Sequence, residues 1–370
     1  MLARILPTLV CAIVVALPQS AGAAAVPRAP KIFAGVTGGQ NTTQYAARTA
    51  GSRATAAAAA PRDALLPPAG EVFTGVAMGD SLSDFVARTG RSPAVWEQFV
   101  AFNHNYHWAI DLAARAHTRL MLALSTAPGQ DQPGSISPGA IAAGHGDRWL
   151  VGMRRRLAAF GAPVYLRFLG EMNNCHNAYA PLSCSGASRG SRYSARSFVA
   201  AWRRTATIMR GADAAAIDAQ LAALHQPRLQ TPASDLPAAQ VAMVWSPMTA
   251  GSPAVGALEP ARFWPGRRWA DWVGTSFYSR FPNFGGLTPF YDRFAVGQRM
   301  PFMFAEWAMW SNPDPGFVRG VLSWTRAHRR TRMLVYNQGK NPHGPFRLAQ
   351  FPAAASVLRK GLAASVFAAR

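Results

Sequence analysis

The sequence predicts an α/β fold, a (β/α)8 TIM barrel, on three observations. Beyond residue 70, short apolar runs alternate with longer amphipathic stretches, the texture of repeated βα units. Eight such runs can be counted, and the roughly 300 residues that hold them match the usual size of this barrel. Two of the runs end in a glutamate, Glu171 and Glu306, and a buried strand is a poor place for a charge unless its end opens onto a site.

Taken in order, the expected strands are residues 72–77, 98–103, 119–125, 163–169, 240–246, 272–277, 301–305 and 332–337, each short and mostly apolar. After the first strand, Gly79-Asp80-Ser81-Leu82-Ser83-Asp84 resembles the nucleophile block of GDSL esterases. Such an enzyme needs an Asp-x-x-His to supply its base, and no histidine here has an aspartate three residues before it. The block is therefore read as a cap, from Asp80, Ser81 or Ser83, for the helix that starts toward Phe85, and the esterase stays a distant alternative. Helical spacing marks residues 147–160 and 194–210, where Phe198, Trp202, Thr205 and Met209 recur about a turn apart. Residues 211–239 read as an insertion before the fifth strand, and no short tandem repeat is present.

Composition narrows the function classes. Of 370 residues 49% are hydrophobic and 11% aromatic, enough for a sizeable core. No apolar run reaches the roughly 18 residues needed to span a bilayer, so stable membrane insertion is not expected. Lys+Arg of 38 against Asp+Glu of 17 gives a net charge of +21, and only Lys31, Lys340 and Lys360 are lysines. No basic run is interleaved with aromatics, so nucleic acid is not an expected partner, and the arginine excess is read as overall residue usage. Residues 1–23 carry Arg4, an apolar stretch and Ala21-Gly22-Ala23, which is the pattern of a secretory signal peptide. Residues 24–70, rich in Ala, Pro and Thr, read as a linker, leaving residues 71–370 for the barrel. The expectation is an exported, monomeric protein.

The exported chain keeps two cysteines, Cys175 and Cys184, an even pair that suggests one disulfide. A ring of this size contributes about 2–3 kcal/mol in the chain-entropy model. Two cysteines at this spacing make no zinc ligand set, and His104 and His107 form a lone pair without a third ligand, so no metal or other cofactor is expected.

Glu171 and Glu306 end the fourth and seventh runs, on the face where barrel active sites assemble. Tyr165, Arg167, Leu169 and Glu171 share one strand parity, which sets a guanidinium beneath the first carboxyl. Paired carboxyls suit glycosidic cleavage: one protonates the leaving oxygen while the other attacks the anomeric carbon or activates water. The competing reading is that each glutamate merely pairs with one of the many arginines.

Six segments follow one another along the chain: Ile136-Ser-Pro-Gly-Ala-Ile-Ala-Ala-Gly-His-Gly-Asp147, Pro163-Val-Tyr-Leu-Arg-Phe-Leu-Gly-Glu-Met-Asn-Asn174, Ala242-Met-Val-Trp-Ser-Pro247, Phe263-Trp-Pro-Gly266, Trp269-Ala-Asp-Trp-Val-Gly-Thr-Ser-Phe-Tyr278 and Pro301-Phe-Met-Phe-Ala-Glu-Trp307. In this order they resemble the family 26 glycoside hydrolases, the β-mannanases and related β-glycanases. It spans about Val72 to Leu362 and implies a retaining TIM-barrel endo-β-glycanase acting on a β-mannan or related polysaccharide. Glu171 is then the acid/base, Glu306 the nucleophile, Tyr278 a hydrogen-bond partner of the nucleophile, and Asn173 a supporting residue of the acid/base motif. Retention needs the two carboxyls about 5–5.5 Å apart. Tyr336 falls at the eighth-strand position that often carries Trp in the clan, and Trp245 and Trp307, near strand ends, are expected to wall the cleft by stacking on sugar faces. Mannanases of the family usually carry His before the acid/base, where this chain has Gly170, and a Trp-rich stretch after it, where this chain has Cys175-His176-Asn-Ala-Tyr179. The altered surroundings leave a second expectation, a catalytically impaired carbohydrate-binding barrel.

Overall fold

The protein is seen in a computed structural model that describes residues 65–79, 82–234 and 236–368. The signal peptide expected at 1–23 and most of the linker lie outside the described residues. Eight parallel strands, β1 (Phe73–Ala77), β2 (Val95–Ala101), β3 (Arg119–Ser125), β4 (Val164–Phe168), β5 (Val241–Trp245), β6 (Trp272–Tyr278), β7 (Phe302–Ala308) and β8 (Thr331–Asn337), pair in chain order and close when β8 meets β1. The helices are α1 (Ser83–Thr89), α2 (His107–Ala116), α3 (Pro138–Ala142), α4 (Asp147–Phe160), α5 (Ala195–Arg210), α6 (Ala214–Ala223), α7 (Phe284–Tyr291), α8 (Pro315–Ala327) and α9 (Pro352–Leu362). The fold is the (β/α)8 barrel that the sequence predicts.

Strand alternation divides the core into two layers. Phe73, Val95, Met121, Tyr165, Ala242, Val244, Trp272, Met303, Met333 and Val335 fill the barrel interior. Residues of opposite parity, among them Trp96, Leu166, Trp245 and Phe304, pack outward under the helices. The second strand begins at Val95, three residues before its expected start at Gln98, because the polar pair Glu97-Gln98 disguises it; both side chains are buried. The seventh strand runs three residues past its expected end, to Ala308.

Several local signals behave as their chemistry requires. Ser194 accepts from Ser197 N at 3.1 Å and caps α5. At α1, by contrast, Leu82 holds the cap position with no side-chain bond and Ser83 is already helical, while Asp80 and Ser81 lie outside the described residues. The end of the expected linker belongs to the barrel: Leu65 is buried in the interior layer, its carbonyl accepting from Tyr165 OH at 3.0 Å, and Arg332 donates to the carbonyls of Pro67 and Glu71.

The stretch at 211–239 contains α6 and a loop that two buried arginines hold down. Arg154 donates to the carbonyls of Ile208, Leu236 and Pro237 at 2.8, 3.1 and 3.0 Å. Arg204 pairs with Asp147 at 2.7 and 2.5 Å and donates to Pro227 O at 2.8 Å. Loop carbonyls without a helix or strand partner need donors, and the five-donor arginine fork supplies them where a lysine cannot. Part of the arginine excess is therefore structural. Among the described residues no helix is long and apolar enough to cross a membrane.

Candidate active site

Two strand ends bring the carboxyls together by different means. Beyond β4 the chain turns sharply, with Leu169 and Glu171 both at positive φ, 47° and 52°. Such backbone costs about 1–3 kcal/mol per non-glycine residue and needs to be held. Glu171 N donates to Ser246 O at 2.7 Å, Asn177 Nδ2 to Glu171 O at 2.9 Å, and Tyr179 OH to Gly170 O at 2.5 Å. A Cβ on Gly170 would stand 2.7 Å from Arg167 Nε, so a histidine there would require the arginine to shift. The glycine leaves that guanidinium its place.

On β7 the device is a bulge. Phe304 pairs with Thr275, but Glu306 pairs with the next residue, Ser276; against β8, Phe304 pairs with Leu334 and Trp307 with Tyr336. One extra residue therefore stands opposite both neighbours and reverses the parity beyond it. Met303 and Ala305 face the interior, and Glu306 reaches the same buried arginine as the β4 carboxyl does.

Arg167 is the hub. Its Nη1 lies 2.6 Å from Glu306 Oε2 and 3.2 Å from Glu97 Oε1, its Nη2 3.8 Å from Glu171 Oε1, and it donates to Ser246 Oγ and Ser276 Oγ at 2.8 and 2.9 Å. Burial opposes its charge, but the Glu306, Glu97 and Glu171 carboxyls outweigh burial and raise its pKa above the ordinary arginine value. Glu306 Oε1 accepts from Tyr278 OH and from Asn337 Nδ2, the latter at 2.7 Å, and Asn337 also reaches Tyr278 OH at 3.0 Å. Burial first, then the charges of Glu306 and Glu171, holds Tyr278 well above the usual phenol range, so its hydroxyl stays a donor. Glu171 Oε2 accepts from Asn174 Nδ2 at 3.0 Å.

Glu97 is a third carboxyl on the hub, fully buried on β2. Burial, opposed by Arg167 and reinforced by Glu306 and Glu171, pushes its pKa up to about 8. The shift favours its protonated form, and its Oε2 has no partner among the described residues.

The structure thus gathers Glu171, Glu306, Arg167 and Tyr278 into one cluster and leaves four expected residues outside it. Trp245 lies in the outer layer, stacked on Phe290 at 6.0 Å with its indole N–H on Phe263 O, because Ala242 and Val244 take the inward parity. Trp307 packs outward against Tyr336 and Phe317, being one residue past the bulged glutamate. Tyr336 is buried in that layer with its hydroxyl on Phe346 O, and its neighbour Asn337 takes the site position. Asn173 ties two loops together through Met248 and Leu258 backbone groups, and Asn174 contacts the carboxyl. The tryptophan that packs on Tyr278, the partner of Glu306, is instead Trp310, 5.2 Å from Tyr278 and 5.1 Å from Phe346. Glu97, Asn174, Ser246, Ser276 and Asn337 were not expected. Glu97 could have been found by the rule that marks Glu171 and Glu306, an acid inside an apolar strand, and Asn337 by parity with Met333 and Val335.

Cys175 and Cys184 form a disulfide, and Cys175 N donates to Ser252 O at 2.9 Å, tying this loop to the one after β5. His176 lies beside the two sulfurs, but sulfurs held in a disulfide supply no thiolate to a metal.

No family model matches the chain, and no curated protein matches its sequence. Solved structures share its fold. A Bacillus subtilis mannanase is 14% identical with a TM-score of 0.51, over 78% of this chain and 85% of that one. A Cellulomonas fimi endo-β-1,4-mannanase is 14% identical with a TM-score of 0.56, over 83% and 74%. A family 26 β-mannanase from Bacteroides ovatus is 13% identical with a TM-score of 0.51, over 81% and 90%. At these identities the likeness is one of fold.

Proposed function

We propose that this protein is an exported glycoside hydrolase that cleaves the β-glycosidic bonds of a polysaccharide, a β-mannan or related β-glycan, with retention. One observation carries the reading: two carboxyls at separate strand ends share a single buried guanidinium, and one of them also accepts from a tyrosine and an asparagine. In the first step Glu306 attacks the anomeric carbon while Glu171 gives its proton to the departing oxygen, so the glycosidic C–O bond breaks as a glycosyl ester forms. In the second, Glu171 takes a proton from water, whose oxygen displaces Glu306 and restores both groups. The hub suits this exchange. As Glu306 loses its charge to the ester, Glu171 gains one, and Arg167 faces both throughout.

Mannanases among the structures of like fold support the substrate class, and the apolar leader at residues 1–23 supports export. The test is release of reducing ends from mannans, glucans and xylans, with the anomer first formed read by NMR. Retained configuration in wild type, with no release by Glu306→Ala or Glu171→Ala, is the expected result. An inverted product would overturn the mechanism, and variants as active as wild type would overturn the site.

A further inference from the structure

We propose that the rim beside Glu306 holds a subsite for an acidic sugar, in which Trp310 and Phe281 offer the stacking surface and Arg280 pairs with the sugar's carboxylate. The inference rests on the glycanase reading above and deepens it by naming a charge on the substrate.

The three residues stand on the loops after β6 and β7, whose strands supply Tyr278 and Glu306. Arg280 lies two positions past Tyr278. Trp310 meets the Tyr278 ring at 5.2 Å, and Tyr278 in turn donates to Glu306, so this wall is continuous with the reacting carboxyl. Phe281 is 65% exposed, the highest value among the large hydrophobic side chains described, and it stands edge-on to Trp310 at 5.8 Å. An exposed aromatic edge next to a half-buried indole is a poor element of a core and a good face for the apolar CH side of a pyranose.

Arg280 supplies the charge selectivity. Its guanidinium carbon sits 5.3 Å from the Trp310 ring centre and 5.8 Å from that of Phe281. Both rings lie within cation–π distance of it, and among the described residues no carboxylate stands within ion-pair distance of it. The acid closest in sequence on these loops, Asp314, accepts from Phe317 N at the start of α8. With the guanidinium carbon over the rings and no carboxylate partner, N–H groups of Arg280 stay free, and two of them match a carboxylate with two parallel hydrogen bonds. The site itself asks for such a cation. Arg167 is already taken up by Glu306 and Glu171, so the carboxylate of an acidic sugar entering beside them needs a positive group of its own.

The experiment compares β-1,4-linked mannuronate oligosaccharides with the neutral manno-oligosaccharides obtained from them by carboxyl reduction, which keeps the linkage and ring stereochemistry. Affinity is measured by titration calorimetry at low and high salt, and hydrolysis by product chromatography. Wild type is expected to bind the acidic series about tenfold tighter at low salt, with the preference shrinking as salt screens it. In Arg280→Gln the ratio between the two series should fall to about twofold or less. Arg326→Gln, which removes an exposed arginine at the opposite end of the barrel, should keep the wild-type ratio. A neutral series bound as tightly as the acidic one, or a preference that survives Arg280→Gln, overturns the subsite. If the neutral series is cleaved while the acidic one is neither bound nor cleaved, the subsite fails and the glycanase stands. If neither series is bound or cleaved, the subsite falls, and the glycanase falls with it only when the glucans and xylans are left uncleaved as well.

Discussion

Two buried arginines, Arg167 and Arg204, are both paired with carboxyls and both inaccessible to water, yet their surroundings differ. Arg204 meets one acid, Asp147, in a two-point bridge, and its remaining hydrogen bonds go to the carbonyls of Pro227 and Arg228. Every charge there has its counter-charge. Arg167 meets three acids at once, one of which, Glu97, keeps a buried oxygen without a partner. The scaffold cluster pairs one acid with one base and is satisfied, whereas the hub crowds three acids on one cation and leaves a buried polar atom without a partner, as functional sites do. This difference supports the proposed chemistry at the barrel mouth more than burial does.

The largest expected effect is on turnover. Glu306→Ala should lower kcat by about 10³-fold or more on any glycan the wild type cleaves, while circular dichroism and melting remain those of a folded barrel. A variant that loses its fold along with its activity would put Glu306 on the scaffold side of the comparison.

Next comes stability. Arg204→Met leaves Asp147 buried without its counter-charge and should cost about 3–5 kcal/mol by denaturant unfolding, with kcat per folded molecule retained. Loss of activity at unchanged stability would reverse the roles assigned to the two arginines.

Tyr278→Phe removes one donor from Glu306 and should lower kcat about 10²-fold, leaving Asn337 and Arg167 on the carboxyl. A change confined to KM would make Tyr278 a substrate contact only.

The smallest and most specific effect concerns pH. The carboxyl of Glu97 ionises near 8 in the folded chain and near 4.5 when unfolded. Between those values the unfolded chain has lost a proton that the folded one keeps. Stability from this group is complete below about 4.5 and is lost as pH rises toward 8. Glu97→Gln carries no ionisable group, so its stability should fall less steeply than wild type across that window, and its activity should persist further into alkali. Parallel stability curves for the two proteins would show Glu97 to be ionised in the folded state.

Much of this was legible in the chain. The eight strands follow from apolar runs between turn residues, and Glu171, Glu306 and Arg167 stand out because acids and a cation interrupt or end such runs. The tryptophans misled because a strand end has two faces, and being near the rim does not say which face a residue takes: Trp245 and Trp307 both point under the helices. Tyr336 and Asn173 each stand one position from the residue that reaches a carboxyl, Asn337 and Asn174, since neighbours on a strand or tight turn point apart.

Local chemistry along the chain was enough for the barrel, its charged strand ends and the pairing of its two later cysteines, because hydrophobic period and residue type are properties of the segment alone. The meeting of those ends required the closed sheet. A one-residue bulge in β7, a left-handed turn after β4 and the register between strands far apart in sequence decide whether Glu306, Glu171 and Glu97 converge on Arg167. Each depends on hydrogen bonds to distant backbone, such as Glu171 N to Ser246 O, that no single segment contains.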